Sequence, residues 1–333
     1  MPRWSCMPAL STLIHSLFAI SIAACGGTSG QANPPSTEFR VALVTTGPVS
    51  DQGWNAGAYK GLLAIRDSLG AHISNVQTQT PAEIDENFRQ YGAHGYNLVF
   101  GHGFEYQDPA TRVAPSFPKT AFVTISGTKT ASNVAGVVFA FSDGAYLAGV
   151  VAGAASHSGV IGAIGGTQLP PVVSAFKAFE AGAQSVNPNV KMLTAYVGNW
   201  EDASAAKEQA LAQIARGADV IFQNADAAGL GVFQAAREAK TVRVIGSNSD
   251  QNTVAPEVTL GSVVIDLPRA MMLIARDVKS GTFKGHVYRL GNTDGVVRWV
   301  ANPKLATEIS PITIARLDSA KSLIDAGKLK VPE

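Results

Sequence analysis

Between Phe39 and Leu69 the chain reads FRVALV (39–44), TTGPVSDQG (45–53), Trp54, and NAGAYKGLLAIRDSL (55–69). The first six residues form a short apolar run, the mark of a buried strand. The Gly/Pro/Ser/Asp-rich break cannot continue a strand, and the last fifteen residues place Ala58, Leu62, Ile65 and Leu69 at helical spacing. This strand–loop–helix unit recurs downstream. Strands are predicted at 98–100, 120–125, 135–139, 160–164, 191–197, 218–222 and 242–245, and helices at 144–155, 174–186, 204–216 and 231–240. Strands alternating with helices of this length predict parallel, doubly wound sheets. So many strands in 333 residues fit two sheets with a cleft between them better than one sheet. Ligands of such sheets gather at the carboxyl ends of the strands. Functional residues are therefore expected just after each strand.

Composition narrows the class of function. Charged residues are 15% and the formal charge is +1, so neither a basic patch for nucleic acid nor an acidic tail stands out. The first thirty residues read as an export signal: Arg3, an apolar run from Ala9 to Ala24, then small residues. That run is short for a membrane-spanning helix. Ile22-Ala23-Ala24-Cys25 resembles the bacterial lipobox, which implies that Cys25 becomes an acylated first residue. A secretory signal that ends at a chance cysteine is the plainer alternative. The Gly/Ser/Pro-rich segment after Cys25 suits a flexible tether. Cys6, the other cysteine, lies in the leader, so the exported chain is expected to hold no disulfide and no thiol chemistry.

Several strand-end segments resemble the basic membrane protein, or PnrA-like, family. They are Asp51-Gln52-Gly53-Trp54-Asn55, Gly101-His102-Gly103-Phe104, the stretch from Asp143 to Gly149, and Ile164-Gly165-Gly166 with Pro171 and Phe176. Asn187-Pro188, the stretch from Val197 to Asp202, that from Ile245 to Gln251, and Gly295-Val296-Val297 follow in order. The resemblance implies a type I periplasmic-binding-protein fold and a substrate-binding lipoprotein of an ABC importer, in many members specific for purine nucleosides. It further implies a membrane permease as partner and no cofactor.

The resemblance places Trp54 and Trp200 as aromatics that stack on the two faces of a ligand ring; the plainer role for each is packing. Asn55, which carries both donor and acceptor, corresponds to a residue that meets the base, and would equally suit a helix cap. Asp143 corresponds to an acid that meets the base and is also placed to cap the following helix. Asp51 belongs to the same loop as Trp54. Asn248 stands where nucleoside-binding members carry an Asp that grips the ribose, and Ile265 lies where a Lys is frequent. Losing both charges weakens the case for ribose recognition and makes a free purine base plausible. Asp250, Gln223 and Asn224 are the alternative sugar contacts. His102, between two glycines, is open to a ligand role or a turn-stabilising one.

Lobe I is expected over 39–141 plus about 249–280, and lobe II over 142–248 plus about 281–333, with a hinge and an interlobe cleft. The predicted protein is a monomeric, membrane-anchored receptor that closes on a planar heteroaromatic ligand. Enzymatic activity is not expected: no G-x-S-x-G elbow, phosphate-binding loop or zinc spacing occurs. A nucleoside hydrolase-like enzyme, a sensor for a membrane signalling protein, and the same fold with a non-purine ligand are the competing readings.

Overall fold

The computed structural model describes residues 38–332 apart from Gln52. The leader, Cys25 and most of the tether lie outside the described residues. Among the described residues no helix is long and apolar enough to cross a membrane.

The first three strands of the first lobe each return through a helix to the next, and a loop joins the fourth to the fifth. The order is β1 (Arg40–Thr45), α1 (Trp54–Leu69), β2 (His72–Gln77), α2 (Pro81–Ala93), β3 (Leu98–His102), α3 (Gln107–Val113), β4 (Ala121–Ile125) and β5 (Val134–Phe139). The second lobe runs α4 (Phe141–Ala155), β6 (Val160–Gly165), α5 (Pro170–Gln184), β7 (Lys191–Tyr196), α6 (Ala203–Ala215), β8 (Val220–Asn224), α7 (Leu230–Ala239), β9 (Arg243–Asn248) and β10 (Thr259–Ile265). The tail adds α8 (Leu267–Ser280), β11 (Val287–Leu290), β12 (Val297–Ala301) and α9 (Pro311–Asp325). Two six-stranded sheets result, ordered β11-β5-β4-β3-β1-β2 and β12-β10-β9-β8-β6-β7. Every pairing is parallel except β10 with β12. The central strands β1, β3, β4, β8 and β10 are apolar and almost wholly buried, as sheets covered by helices on both faces demand.

The tail corrects the expected lobe boundaries. Strand β10, expected in lobe I, pairs with β9 in the second sheet; its seven residues are all buried, and the interior position between β9 and β12 gives it a neighbour on both sides. Strand β11, expected in lobe II, pairs with β5 in the first sheet. The chain crosses between the lobes three times: at Ala140, at Asp266, and over 291–296. These crossings are tied together, since Asp266 N–H donates to the Val296 carbonyl (2.7 Å) and Ala140 N–H to that of Leu290 (2.9 Å).

Small residues set the helix packing. Helix α4 is buried along most of its length, and its Gly149 and Gly153 lie against the backbone of α5. A Cβ at Gly149 would stand 2.0 Å from the Phe179 carbonyl oxygen. Gly61 of α1 likewise lets α8 approach through Met271 and Pro268, which seats α8 on the first lobe.

Candidate interlobe binding site

The loop after β1 builds one wall. Asp51 is buried, and its carboxylate accepts the backbone N–H groups of Gly53, Asn55 and Ala56 at 2.8–2.9 Å. It thereby satisfies amides that the start of a helix leaves unpaired. The Asn55 side-chain amide donates to the same carboxylate, while Asn55 Oδ1 is buried without a partner. This anchoring fixes Trp54 as the first residue of α1. One face of its indole stacks on His102 (centroids 4.1 Å apart, planes at 22°), and Phe139 meets it edge-on at 6.2 Å. His102 is fully buried and its Nε2 lies 3.0 Å from the Trp54 carbonyl. A carbonyl only accepts, so Nε2 carries the proton. Burial lowers the His102 pKa to about 3, and the ring is neutral in ordinary buffers.

The opposite wall comes from the second lobe. Trp200 follows β7, and its ring lies flat against Gly166, where a Cβ would stand 2.1 Å from the indole. Only glycine permits that approach. The Trp200 carbonyl accepts from Ala228 N–H at 2.9 Å, which ties this loop to the one after β8.

A polar cluster lies between the walls. Asp226 and Asn248 both adopt left-handed backbone conformations (φ 50° and 66°), a region that Asn and Asp tolerate better than most side chains. Asn248 Nδ2 donates to Asp226 Oδ1 at 3.1 Å and approaches Asn224 Oδ1 at 3.4 Å. Burial, then the charge of Asp51, raises the Asp226 pKa well above the carboxylate range; burial raises that of Glu105 also.

These groups enclose one cavity of about 130 Å³. A dry cavity of roughly 150 Å³ takes up benzene, so the space suits one flat ring before any opening of the lobes. Trp54, Phe104, Phe139, Phe141 and Trp200 supply aromatic surface, and Asn224, Asp226, Asn248 and Glu105 supply polar groups.

Of the sequence-predicted residues, the structure brings Trp54, Trp200, Asn224, Asn248 and Ile265 to this cavity. It places the others outside its lining. Asp51 caps α1. Asn55 is buried against Asp51. Gln223 is buried, bonding the side chain of Gln251 (2.6 Å) and the backbone of Ala225. Asp250 is exposed and accepts from Asn252 N–H. Asp143 lies in the first turn of α4, which begins at Phe141, earlier than expected. Asp226 and Glu105 are additions. Their signal is the strand-end rule itself, since both follow a strand by two or three residues.

The model of the family "ABC transporter substrate-binding protein PnrA-like" matches residues 39–327. The chain belongs to that family. Among its relatives, a nucleoside-binding protein BmpA of Lactococcus lactis is 32% identical, over 92% of each chain. A purine-binding protein of Brucella abortus is 28% identical, over 90% of this chain and 87% of its own. A solute-binding protein of an ABC transporter system from Aeropyrum pernix shares the fold, with a TM-score of 0.81 at 22% identity, over 88% of this chain and 92% of its own. As a PnrA-like protein of two parallel-sheet lobes, the chain is an ABC transporter substrate-binding protein, in line with relatives that are solute-binding proteins and not enzymes.

Proposed function

We propose that this PnrA-like protein is lipid-anchored through Cys25 on the outer face of a bacterial membrane and delivers a purine base or nucleoside to an ABC permease. The carrying observation is that Trp54 and Trp200, from different lobes, line one ring-sized cavity. One face of Trp54 is already covered by His102, so the ligand ring takes the free side. Stacking on an aromatic side chain contributes about 1–3 kcal/mol per base. Two such contacts account for much of a micromolar affinity, about 8 kcal/mol.

The polar groups suit a heterocycle edge. Asn224 and Asn248 offer amides. Ile265 gives no charge to a sugar, whereas Asp226 sits beside Asn248 and offers an acceptor to hydroxyls.

A fluorescence titration with adenine, guanine, hypoxanthine and their nucleosides tests this reading. Saturable quenching or shift by at least one of them is expected. No change in emission or melting temperature at millimolar ligand would sink the purine assignment. Nucleosides binding far more tightly than bases would overturn the expectation drawn from Asn248 and Ile265.

A further inference from the structure

Among the described residues, no Lys, Arg or His lines the cavity. Two carboxyl groups do: Glu105, just after β3 of lobe I, and Asp226, just after β8 of lobe II. Neither belongs to an ion pair among the described residues. The hydrogen bond that Asp226 accepts comes from a neutral group, the Asn248 amide. Each acid therefore keeps acceptor capacity, because a carboxylate offers about four lone-pair sites. We propose that Glu105 and Asp226 set the ligand's charge class, so that the cavity admits neutral or cationic rings rich in N–H donors and rejects anionic ones of the same shape.

The proposal rests on the purine reading of the cavity and narrows it. A negative ligand would enter a low-dielectric space between two acids with no counter-charge, where like charges repel more strongly than in water. A neutral ring with N–H or amino groups instead meets acceptors on both sides, and hydrogen bonds to charged acceptors are stronger than neutral ones. Burial opposes this in part: it raises the pKa of both acids, and a carboxyl that takes up a proton no longer repels an anion, so the selection is expected to sharpen as pH rises.

The test compares hypoxanthine, neutral at neutral pH, with urate, a monoanion there, by calorimetry on the wild type and on Glu105→Gln and Asp226→Asn. The wild type is expected to bind hypoxanthine at least about tenfold more tightly than urate, and each variant to narrow that ratio by about threefold. Both substitutions keep the side-chain shape, and Asn tolerates the backbone conformation at 226. Should Asp226→Asn fail to fold, Glu105→Gln alone decides. Equal binding of the two ligands, or a ratio unchanged in the variants, overturns the charge selection and leaves the purine reading standing. Failure of every neutral purine to bind overturns both.

Discussion

Trp200 rests on a backbone without a Cβ at Gly166, and that contact orients the indole before any ligand arrives. Replacing Trp200 with Ala removes a half-buried ring at the cavity edge and none of the fully buried core. Binding should be lost, by about 1–3 kcal/mol or more, with the circular dichroism spectrum and the unfolding transition largely kept. A collapse of the fold would assign the indole to packing instead. Asp226 gives a second prediction. Its folded pKa is raised, so between the ordinary carboxylate range and that higher value the folded state holds a proton the unfolded state has lost. Stability therefore falls as pH rises through this window. Asp226→Asn removes the effect: the variant should gain on the wild type in denaturant midpoint at neutral pH and show no gain below the carboxylate range. An equal difference at both pH values contradicts this. Trp54, Trp200 and Asn248 came forward from the sequence through their place at or after predicted strands together with the family resemblance. Asp226 follows β8 by two residues and obeys the same strand-end rule, but its burial depends on a left-handed loop conformation that leaves no local pattern.

Central elements were far easier to read than edges. Strands such as β1 and β4 are buried on both faces and spell apolar runs, whereas the equally buried β10, TLGSVVI, was not predicted because Thr259, Gly261 and Ser262 interrupt its run. Strand β2 lies at a sheet edge, mostly half-buried or exposed, and its sequence HISNVQ carries no such run. Helix α2 buries only Ile84 and Phe88, too few for a clear period. Lobe membership of the tail was illegible for a different reason: a chain that crosses the hinge three times is assigned by pairing partners, which sequence spacing does not specify. Helix packing supplies a prediction at this scale. Gly149→Ala would force a methyl group to within 2.0 Å of a backbone oxygen, and that backbone cannot swing away. Overpacking of this kind costs about 1–3 kcal/mol, sometimes more. Gly57→Ala meets only the end of the Leu267 side chain at 2.9 Å, which can rotate. Urea denaturation should therefore show a clearly larger loss for Gly149→Ala; the reverse order would contradict the packing account.

For the whole molecule, three adjacent crossings tied by hydrogen bonds form a compact hinge. A ligand that touches both lobes favours the closed arrangement only through the contacts that bridge them. Small-angle scattering should record a lower radius of gyration on adding a tight-binding purine, and little change when Trp200→Ala receives it at the same concentration. Contraction of that variant to the same extent would mean that closure does not depend on the second tryptophan. The most direct measurement is a crystal structure of the protein with the tightest-binding purine from the titration. The account predicts a ring held between Trp54 and Trp200, at van der Waals distance from both indoles (about 3.5–4 Å), with its edge toward Asn224, Asp226 and Asn248. A ring bound elsewhere, or meeting neither indole face to face, would contradict it.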